Sequence, residues 1–146
     1  MEDHPALVVL KSFFAEMNAW EKGVAARYKA IDWGNTSAEA LARDRAIDRQ
    51  GATAIFEKYC EVGAKATRLQ DQGLSFNPDR PEYDPEGEVV VAVTERPGKV
   101  VVETKQTYLL KWRMKYEIVE TPNGWRIRDN RKRSSDKNPR WDRDML

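Results

Sequence analysis

Cysteine and histidine are almost absent from this chain, and glycine is sparse. The 146 residues include one cysteine, Cys60, and one histidine, His4. An internal disulfide framework is therefore excluded, and one His with one Cys cannot supply the clustered ligands of a zinc site. No two of the eight glycines form a Gly-x-Gly pattern, which argues against a nucleotide-cradling loop. The sequence predicts neither a metal nor any other cofactor.

Long hydrophobic runs are missing as well. No stretch approaches the roughly 20 apolar residues that a membrane-spanning helix needs, and the polar start, Met1 to His4, lacks the features of a signal peptide. We therefore expect a cytoplasmic protein that does not bind membranes. The length fits one domain. A hydrophobic content of 40%, with five Trp, five Tyr and four Phe, provides enough apolar material for one core.

Charge is distributed unevenly along the chain. Residues 1–88 hold 11 basic and 16 acidic residues, a net charge of −5, whereas residues 89–146 hold 14 and 8, a net charge of +6. Such asymmetry can indicate a surface for nucleic acid or for an acidic protein. The simpler interpretation is that the two halves complement each other.

The first part of the chain has helical periodicity. Pro5 suits the first turn of a helix, and the pattern runs on through Tyr28, with a possible bend near Gly23. Apolar residues recur at spacings of three and four, which predicts one buried stripe. The stripe consists of Leu7, Leu10, Phe13, Phe14, Met17 and Trp20.

A second helix is predicted from about Ala38. Thr36 or Ser37 is a plausible N-cap, Gly51 is a candidate interruption, and Gly63 is a candidate stop. The positions expected to face the core are Leu41, Ile47, Ala54, Ile55 and Tyr59.

The second half of the chain alternates apolar and polar residues with the period of β-strands. Strands are expected at residues 67–76, 88–94, 99–106, 108–120 and 125–130, with a proline-rich surface loop at 77–87. Pro97-Gly98 and Asn123-Gly124 predict tight hairpin turns. The domain is expected to span residues 1–133. Residues 134–146 are expected to form a polar tail that frays unless Trp141 docks.

The order of these elements carries a family resemblance. A helix pair, a short strand, a proline-rich loop and long antiparallel strands that end in Asn-Gly-Trp-Arg-Ile (residues 123–127) resemble the nuclear transport factor 2-like superfamily over about residues 5–133. The resemblance implies an α+β fold in which N-terminal helices pack on a curved antiparallel sheet to form a cone. The helical part and the basic hairpins further resemble the immunity proteins of this fold from bacterial polymorphic toxin systems. These are small cytoplasmic proteins that bind and neutralise a cognate toxin.

Enzymes of this superfamily place an Asp or a His–Asp pair inside the cone, where burial raises the carboxyl pKa toward the working pH. His4, in a polar N-terminal segment, cannot supply such a pair on the sheet. Asp32 and Asp48 remain as acidic candidates, although a cap or a solvated helix face explains both more simply. Cys60 lacks the neighbouring histidine that a thiolate nucleophile needs. It is better explained as a small buried residue. We therefore expect no catalytic residues.

Two charged surfaces are candidates for partner binding. A basic sheet face could steer an acidic partner, whereas an acidic loop could face a basic toxin such as a nuclease. A solvated face remains the plain alternative, and binding of nucleic acid is the less favoured one. The basic candidates are Lys111, Arg113, Lys115, Arg126 and Arg128, and the acidic ones are Asp79, Glu82, Asp84 and Glu86.

Together with the resemblance, these patterns predict a non-catalytic immunity protein that neutralises a bacterial toxin by direct binding. The alternative is a small-molecule binder or an isomerase- or dehydratase-type enzyme with an Asp in the cone. If a pocket exists, the resemblance implies that Trp112, Tyr116 and Trp125 line it, although all three fit a plain core. A homodimer through the open sheet face is a further possibility.

Overall fold

A computed structural model describes residues 3–61, 83–107, 111–128 and 130–143. Two helices are followed by six strands that form a single antiparallel sheet. The elements are α1 (Pro5–Lys29), α2 (Ala38–Tyr59), β1 (Glu88–Arg96), β2 (Lys99–Gln106), β3 (Arg113–Thr121), β4 (Gly124–Ile127), β5 (Lys132–Ser134) and β6 (Asp142–Arg143). The predicted strand at residues 67–76 and most of the predicted loop lie outside the described residues.

Helix α1 follows the prediction from the sequence. His4 caps it, because the Nδ1 atom of His4 accepts a hydrogen bond of 3.0 Å from the Ala6 amide, and Pro5 occupies the first turn. The helix continues without interruption through Gly23 to Lys29. Its apolar stripe is buried almost as predicted, with Trp20 only partly buried. The fully buried apolar residues are Ala6, Leu7, Leu10, Phe13, Phe14, Met17, Val24 and Ala25.

Helix α2 begins as predicted and buries only part of the predicted face. Ser37 caps it by accepting a 3.1 Å hydrogen bond from the Ala40 amide. Ile55 and Tyr59 pack against the core as predicted, whereas Ile47 is 58% exposed and Ala54 is also exposed. The most buried residues are Ala52 and Phe56. The prediction was wrong at Ile47 because α2 meets α1 mainly through its C-terminal half.

Gly51 explains that contact and does not interrupt α2. A Cβ atom at Gly51 would lie 3.1 Å from two ring atoms of Trp20, so the helices approach closely at this point. The Trp20 indole also donates a 2.9 Å hydrogen bond to the carbonyl oxygen of Asp48. The helix ends at Tyr59, with Cys60 as an extended C-cap, earlier than the predicted stop at Gly63.

The strands are connected by the predicted hairpins. β1 pairs with β2 across Pro97-Gly98, β2 pairs with β3, and β3 pairs with β4 across Pro122-Asn123. β5 continues along β3 beyond β4, and β6 pairs with β5. The pairs Ile118–Ile127 and Lys115–Lys132 show that the register shifts by two residues between β4 and β5. β4 and β5 therefore act as one interrupted strand opposite β3.

Alternation along β3 defines the two faces of the sheet. Met114, Tyr116 and Ile118 are buried on the side of the helices. Arg113, Lys115 and Glu117 project to the opposite side, which we call the outer face. The strand begins later than the predicted residue 108, because Lys111 has a positive φ of 51° and cannot continue an extended strand. Residues 108–110 lie outside the described part of the chain.

One core joins the helices to the inner face of the sheet. The ring of Phe13 lies 5.4 Å from that of Phe56 and 5.1 Å from that of Tyr83. Val100, Val102 and the inner residues of β3 complete the cluster. Tyr83, which was predicted to lie in a surface loop, is instead 3% exposed. Among the described residues, no helix combines the length and apolarity needed to cross a membrane.

The segment after Arg133 contributes to the sheet. Ser134 ends β5 and is buried, and β6 adds a short outer strand. The sequence predicted an ordered tail only if Trp141 docked. Trp141 does dock, because the Lys115 ammonium lies 4.4 Å from the centre of its ring.

β1 forms the opposite edge of the sheet and is apolar. Among the described strands it pairs only with β2, and a β-bulge lies between Val90 and Ala92. Its side chains are poorly covered because neither helix packs on this strand. The exposed valines are Val89, Val90, Val91 and Val93.

Candidate functional site

The basic residues predicted as a partner surface do not form one uniform basic plate. Arg113 and Lys115 lie on the outer face, whereas Lys111 precedes β3 in its left-handed conformation. Arg126 pairs with Val119 on the outer face and donates a 2.9 Å hydrogen bond to the carbonyl oxygen of Trp125. These residues share a region of the sheet, but acidic neighbours interrupt their charge.

Glu117 is the main acidic neighbour. Its Oε1 accepts a 2.6 Å hydrogen bond from Arg128 Nη1, its Oε2 accepts a 3.0 Å hydrogen bond from Asn130, and Lys99 Nζ lies 3.6 Å away. Burial alone would raise the pKa of Glu117. The hydrogen bonds from Asn130 and Arg128 and the Lys99 charge outweigh burial and hold the pKa below its ordinary value. Glu117 therefore remains a fixed negative charge on the outer face.

Arg128 is fully engaged in this arrangement. It also donates a 3.3 Å hydrogen bond to Glu61, just beyond the end of α2. The Glu61 amide in turn donates a 3.0 Å hydrogen bond to the Ile127 carbonyl oxygen. The two acceptors raise the pKa of Arg128 further. This side chain ties the helical layer to the sheet, so its charge is not available for a partner.

A groove opens on the outer face beside this cluster. Its volume is about 370 Å³, and its walls come from β1, β2, β3, β5 and the interruption between β4 and β5. Four basic and two acidic side chains line it, which gives it mixed charge with a basic excess. The lining residues are Thr94, Arg96, Lys99, Val101, Glu103, Lys115, Glu117, Asn130 and Lys132.

Only Lys115 of these residues was predicted from the sequence. Its Nζ lies 3.5 Å from Glu103, its direct cross-strand neighbour. The signal that could have identified the others is hairpin register, because the turn at Pro97-Gly98 places Arg96 opposite Lys99.

The acidic loop is described only in part. Asp79 and Glu82 lie outside the described residues. Asp84 accepts a 3.0 Å hydrogen bond from the Glu86 amide, and its carbonyl oxygen accepts one of 3.0 Å from the Glu88 amide. Asp84 therefore stabilises the turn that leads into β1, and Glu86 is exposed.

The three aromatic residues predicted to line a pocket lie in or beside the core. Tyr116 is 1% exposed, and Trp112 and Trp125 are partly buried against the same cluster. The Arg133 guanidinium lies 4.7 Å from the centre of the Trp112 ring, and His4 meets the Trp125 ring edge-on at 5.1 Å. These contacts fit the plain-core explanation that the sequence left open.

A buried polar cluster, which sequence reasoning missed, lies beside Tyr116. Glu88 is 8% exposed and accepts hydrogen bonds of 2.8 Å from the Tyr116 hydroxyl and 3.1 Å from Gln106. The buried Arg131 guanidinium lies 5.9 Å from the centre of the Tyr116 ring. Arg131 lies in the interruption between β4 and β5 and is buried, with 4% of its surface exposed.

The ionisation of this cluster follows from its burial. Burial raises the pKa of Glu88, and the hydrogen bonds from Gln106 and Tyr116 and the charge of Arg131 offset this only in part. Burial also raises the pKa of Tyr116 well above its ordinary value, so its hydroxyl remains a donor.

The other chemical candidates have structural roles. Asp32 is exposed and accepts hydrogen bonds from the Gly34 amide and the Asn35 side chain. Asp48 forms an ion pair with Arg27, and Cys60 is buried in the core. Among the described residues, no three His, Cys, Asp or Glu side chains come together as a potential metal site.

Comparison with known families decides the assignment. A family model described as NTF2 fold immunity protein matches residues 6–145. The chain belongs to this family of immunity proteins. Membership confirms the resemblance and the α+β class, and it supports an immunity role with a toxin as partner in general terms. Comparisons with curated proteins and with solved structures give no significant match.

Proposed function

We propose that this protein neutralises a cognate bacterial toxin by binding it directly in the cytoplasm, without a cofactor and without catalysis. The observation that carries the proposal is the family match over residues 6–145. The side chains support the absence of catalysis in this proposal. Structural contacts explain each of the chemical candidates, Asp32, Asp48 and Cys60.

The outer face is the proposed contact surface. Arg113 and Lys115 project from it, and Arg126 lies beside them. Arg128, also predicted as a contact, is engaged by Glu117 and Glu61 and is left out of the proposed surface. Fixed basic groups on a sheet raise the rate of association with an acidic partner. Residues 79–86 form the second candidate contact, for a basic toxin.

The decisive experiment identifies the toxin and then tests neutralisation. The tagged protein captures its partner from a lysate of the native host, and mass spectrometry identifies that partner. The partner is then expressed in a heterologous bacterium, alone and together with this protein. We expect growth arrest by the partner alone, restored growth on co-expression, and a stoichiometric complex on size exclusion.

Charge reversal then separates the two contact surfaces. Reversal of Arg113 and Lys115 tests the outer face, and reversal of Asp84 and Glu86 tests the loop. Loss of rescue with one pair only assigns the surface. A captured partner that does not arrest growth, or an arrest that co-expression does not relieve, would contradict the proposal.

A role with a small molecule is the second candidate, and Glu88 is the observation that favours it. A buried carboxyl group with a raised pKa is typical of a general base in a cone. It is a glutamate on β1 and not the aspartate expected from the resemblance. Both of its oxygens already accept hydrogen bonds, from Tyr116 and Gln106. Each oxygen keeps a second lone pair, so a ligand donor would add to these hydrogen bonds in a small buried space. Ligand screening of the wild type against Glu88→Gln tests this role.

A further inference from the structure

We propose that the groove on the outer face binds an acidic segment of the toxin, with carboxylates held between Arg96 and Lys132. This inference rests on the proposed function and adds the chemistry of the partner and the residues that recognise it. Arg96 lies on β1 and Lys132 lies on β5, so the two side chains are at different walls of the groove.

Like charges face each other at both walls. Arg96 is the direct cross-strand neighbour of Lys99, and Lys132 is that of Lys115. Directly opposed like charges destabilise a sheet, so this arrangement costs the free protein stability. An anion between the strands would relieve both repulsions.

Within the described ranges, only one member of each like-charged pair has an acidic partner. Lys99 lies 3.6 Å from Glu117, and Lys115 lies 3.5 Å from Glu103. Arg96 and Lys132 form no ion pair with any residue that the structure describes, and both are exposed. Two positive charges in the groove therefore have no acidic partner in the part of the chain that the structure describes.

The groove is already ordered for binding. Glu117 is held by Arg128 and Asn130, and the Lys115 ammonium rests on the Trp141 ring. The lining residues stand mainly on paired strands, so a partner does not have to order their backbone. Arg96 and Lys132 still lose side-chain rotamer freedom when they bind.

The composition of the groove favours protein over nucleic acid. Glu103 and Glu117 repel the anions of a nucleic acid and of an acidic peptide alike, but the peptide backbone also offers them N–H donors, which a phosphodiester backbone lacks. A protein segment presents N–H and hydroxyl donors next to its carboxylates. It can therefore bind both the acidic and the basic side chains of the groove. The volume of 370 Å³ lies near the lower end of pockets that enclose small ligands, which suits a few side chains.

The test uses a blocked hexaglutamate peptide as probe and requires no toxin. The ¹⁵N-labelled full chain is titrated at low ionic strength, with blocked hexaglutamine and a thymidine hexanucleotide as comparison ligands. We expect hexaglutamate to shift the amide signals of Arg96, Lys115 and Lys132 in a saturable manner. We expect hexaglutamine to leave them unchanged and the oligonucleotide to bind more weakly.

Charge reversal provides the matched comparison. The Arg96→Glu/Lys132→Glu variant should bind hexaglutamate at least about tenfold more weakly. It should also unfold at a higher urea concentration than the wild type, because each new glutamate faces a lysine. The control variant Lys22→Glu/Arg45→Glu makes the same change in net charge at exposed positions on the helices and should bind within about twofold of the wild type.

Three outcomes would overturn the proposal: no saturable shift with hexaglutamate, equal weakening in both double variants, or binding of the oligonucleotide as tight as that of the peptide. None of them bears on toxin neutralisation, which the co-expression experiment measures separately. A toxin that is neutralised normally by Arg96→Glu/Lys132→Glu would likewise refute the groove and leave the immunity role standing.

Discussion

Arg128 Nη1 donates a 2.6 Å hydrogen bond to Glu117 Oε1 at the point where β4 ends and the paired strand is interrupted. The Arg128 amide also donates to the carbonyl oxygen of Glu117, at 2.9 Å. Backbone and side chain thus hold the two residues together while the chain shifts register toward Lys132. This pair fixes one wall of the groove and also connects the sheet to Glu61 after α2.

The Glu117–Arg128 pair should contribute measurably but modestly to stability. Their side chains are 19% and 45% exposed, so solvent screens part of the attraction. A double-mutant cycle with Glu117→Gln and Arg128→Gln should give a coupling energy of about 0.5 kcal/mol that shrinks in high salt. Because the native pKa of Glu117 is lowered, its stabilisation is present at neutral pH and is lost as pH falls through that native pKa. Urea denaturation at several pH values measures both effects.

Glu88 should show the opposite pH dependence. Burial raises its native pKa above the ordinary value of 4.5, so the native state holds this proton more tightly than the unfolded state does. The associated stability is fully present below pH 4.5 and is lost as pH rises through the native pKa. Glu88→Gln is neutral throughout, and the wild type should therefore lose stability relative to it on going from acidic to neutral pH.

Urea denaturation of both proteins across this range tests the prediction. Glu95→Gln makes the same substitution at the exposed end of β1 and controls for the loss of one negative charge. A stability difference between the wild type and Glu88→Gln that is constant with pH would show that the carboxyl group does not titrate abnormally.

The features that the sequence predicted correctly depend on local chemistry. Ser37 caps α2 through its own side chain, and the turns at Pro97-Gly98 and Asn123-Gly124 need backbone conformations that these residues favour. The positive φ of Gly98 and Gly124 agrees with this. Such signals can be identified without knowing which elements pack together.

The features that it missed depend on residues far apart in the chain. Ile47 and Phe56 have similar apolarity, and contacts with α1, such as Phe56 on Phe13 and Gly51 on Trp20, decide which of them is buried. The position of Lys132 opposite Lys115 depends on the register shift between β4 and β5. Asp129-Asn130 are turn-favouring residues that indicate a break after β4, but they do not indicate the size of the register shift, so most of the groove was not predictable from the pattern.

The two glycines inside the helices should respond differently to alanine. A Cβ at Gly23 meets nothing within 4 Å, and Gly23→Ala should raise the free energy of unfolding by about 0.5–1 kcal/mol through helix propensity. At Gly51 the gain in helix propensity is offset by a steric cost. The Trp20 ring must shift to make room for the new Cβ, and this strains its hydrogen bond to Asp48. Gly51→Ala should therefore stabilise less than Gly23→Ala, or destabilise. Thermal unfolding compares them directly; an equal gain at both sites would mean that the contact with Trp20 is not tight.

The edge strand β1 should limit the solubility of the protein. Its valines are exposed, and among the described residues no strand pairs with its outer edge, which is the usual template for intermolecular strand pairing. Val91 is 55% exposed and lies in the bulge, so Val91→Lys should change the free energy of unfolding by no more than about 0.5 kcal/mol. It should nevertheless slow aggregation, measured by light scattering at high concentration, because a lysine on an edge strand resists desolvation.

Val8→Lys places the same substitution at a valine of α1 that is 49% exposed, away from any strand edge. Equal protection by both variants would assign the effect to net charge, whereas protection by Val91→Lys alone would identify the β1 edge as the site of self-association.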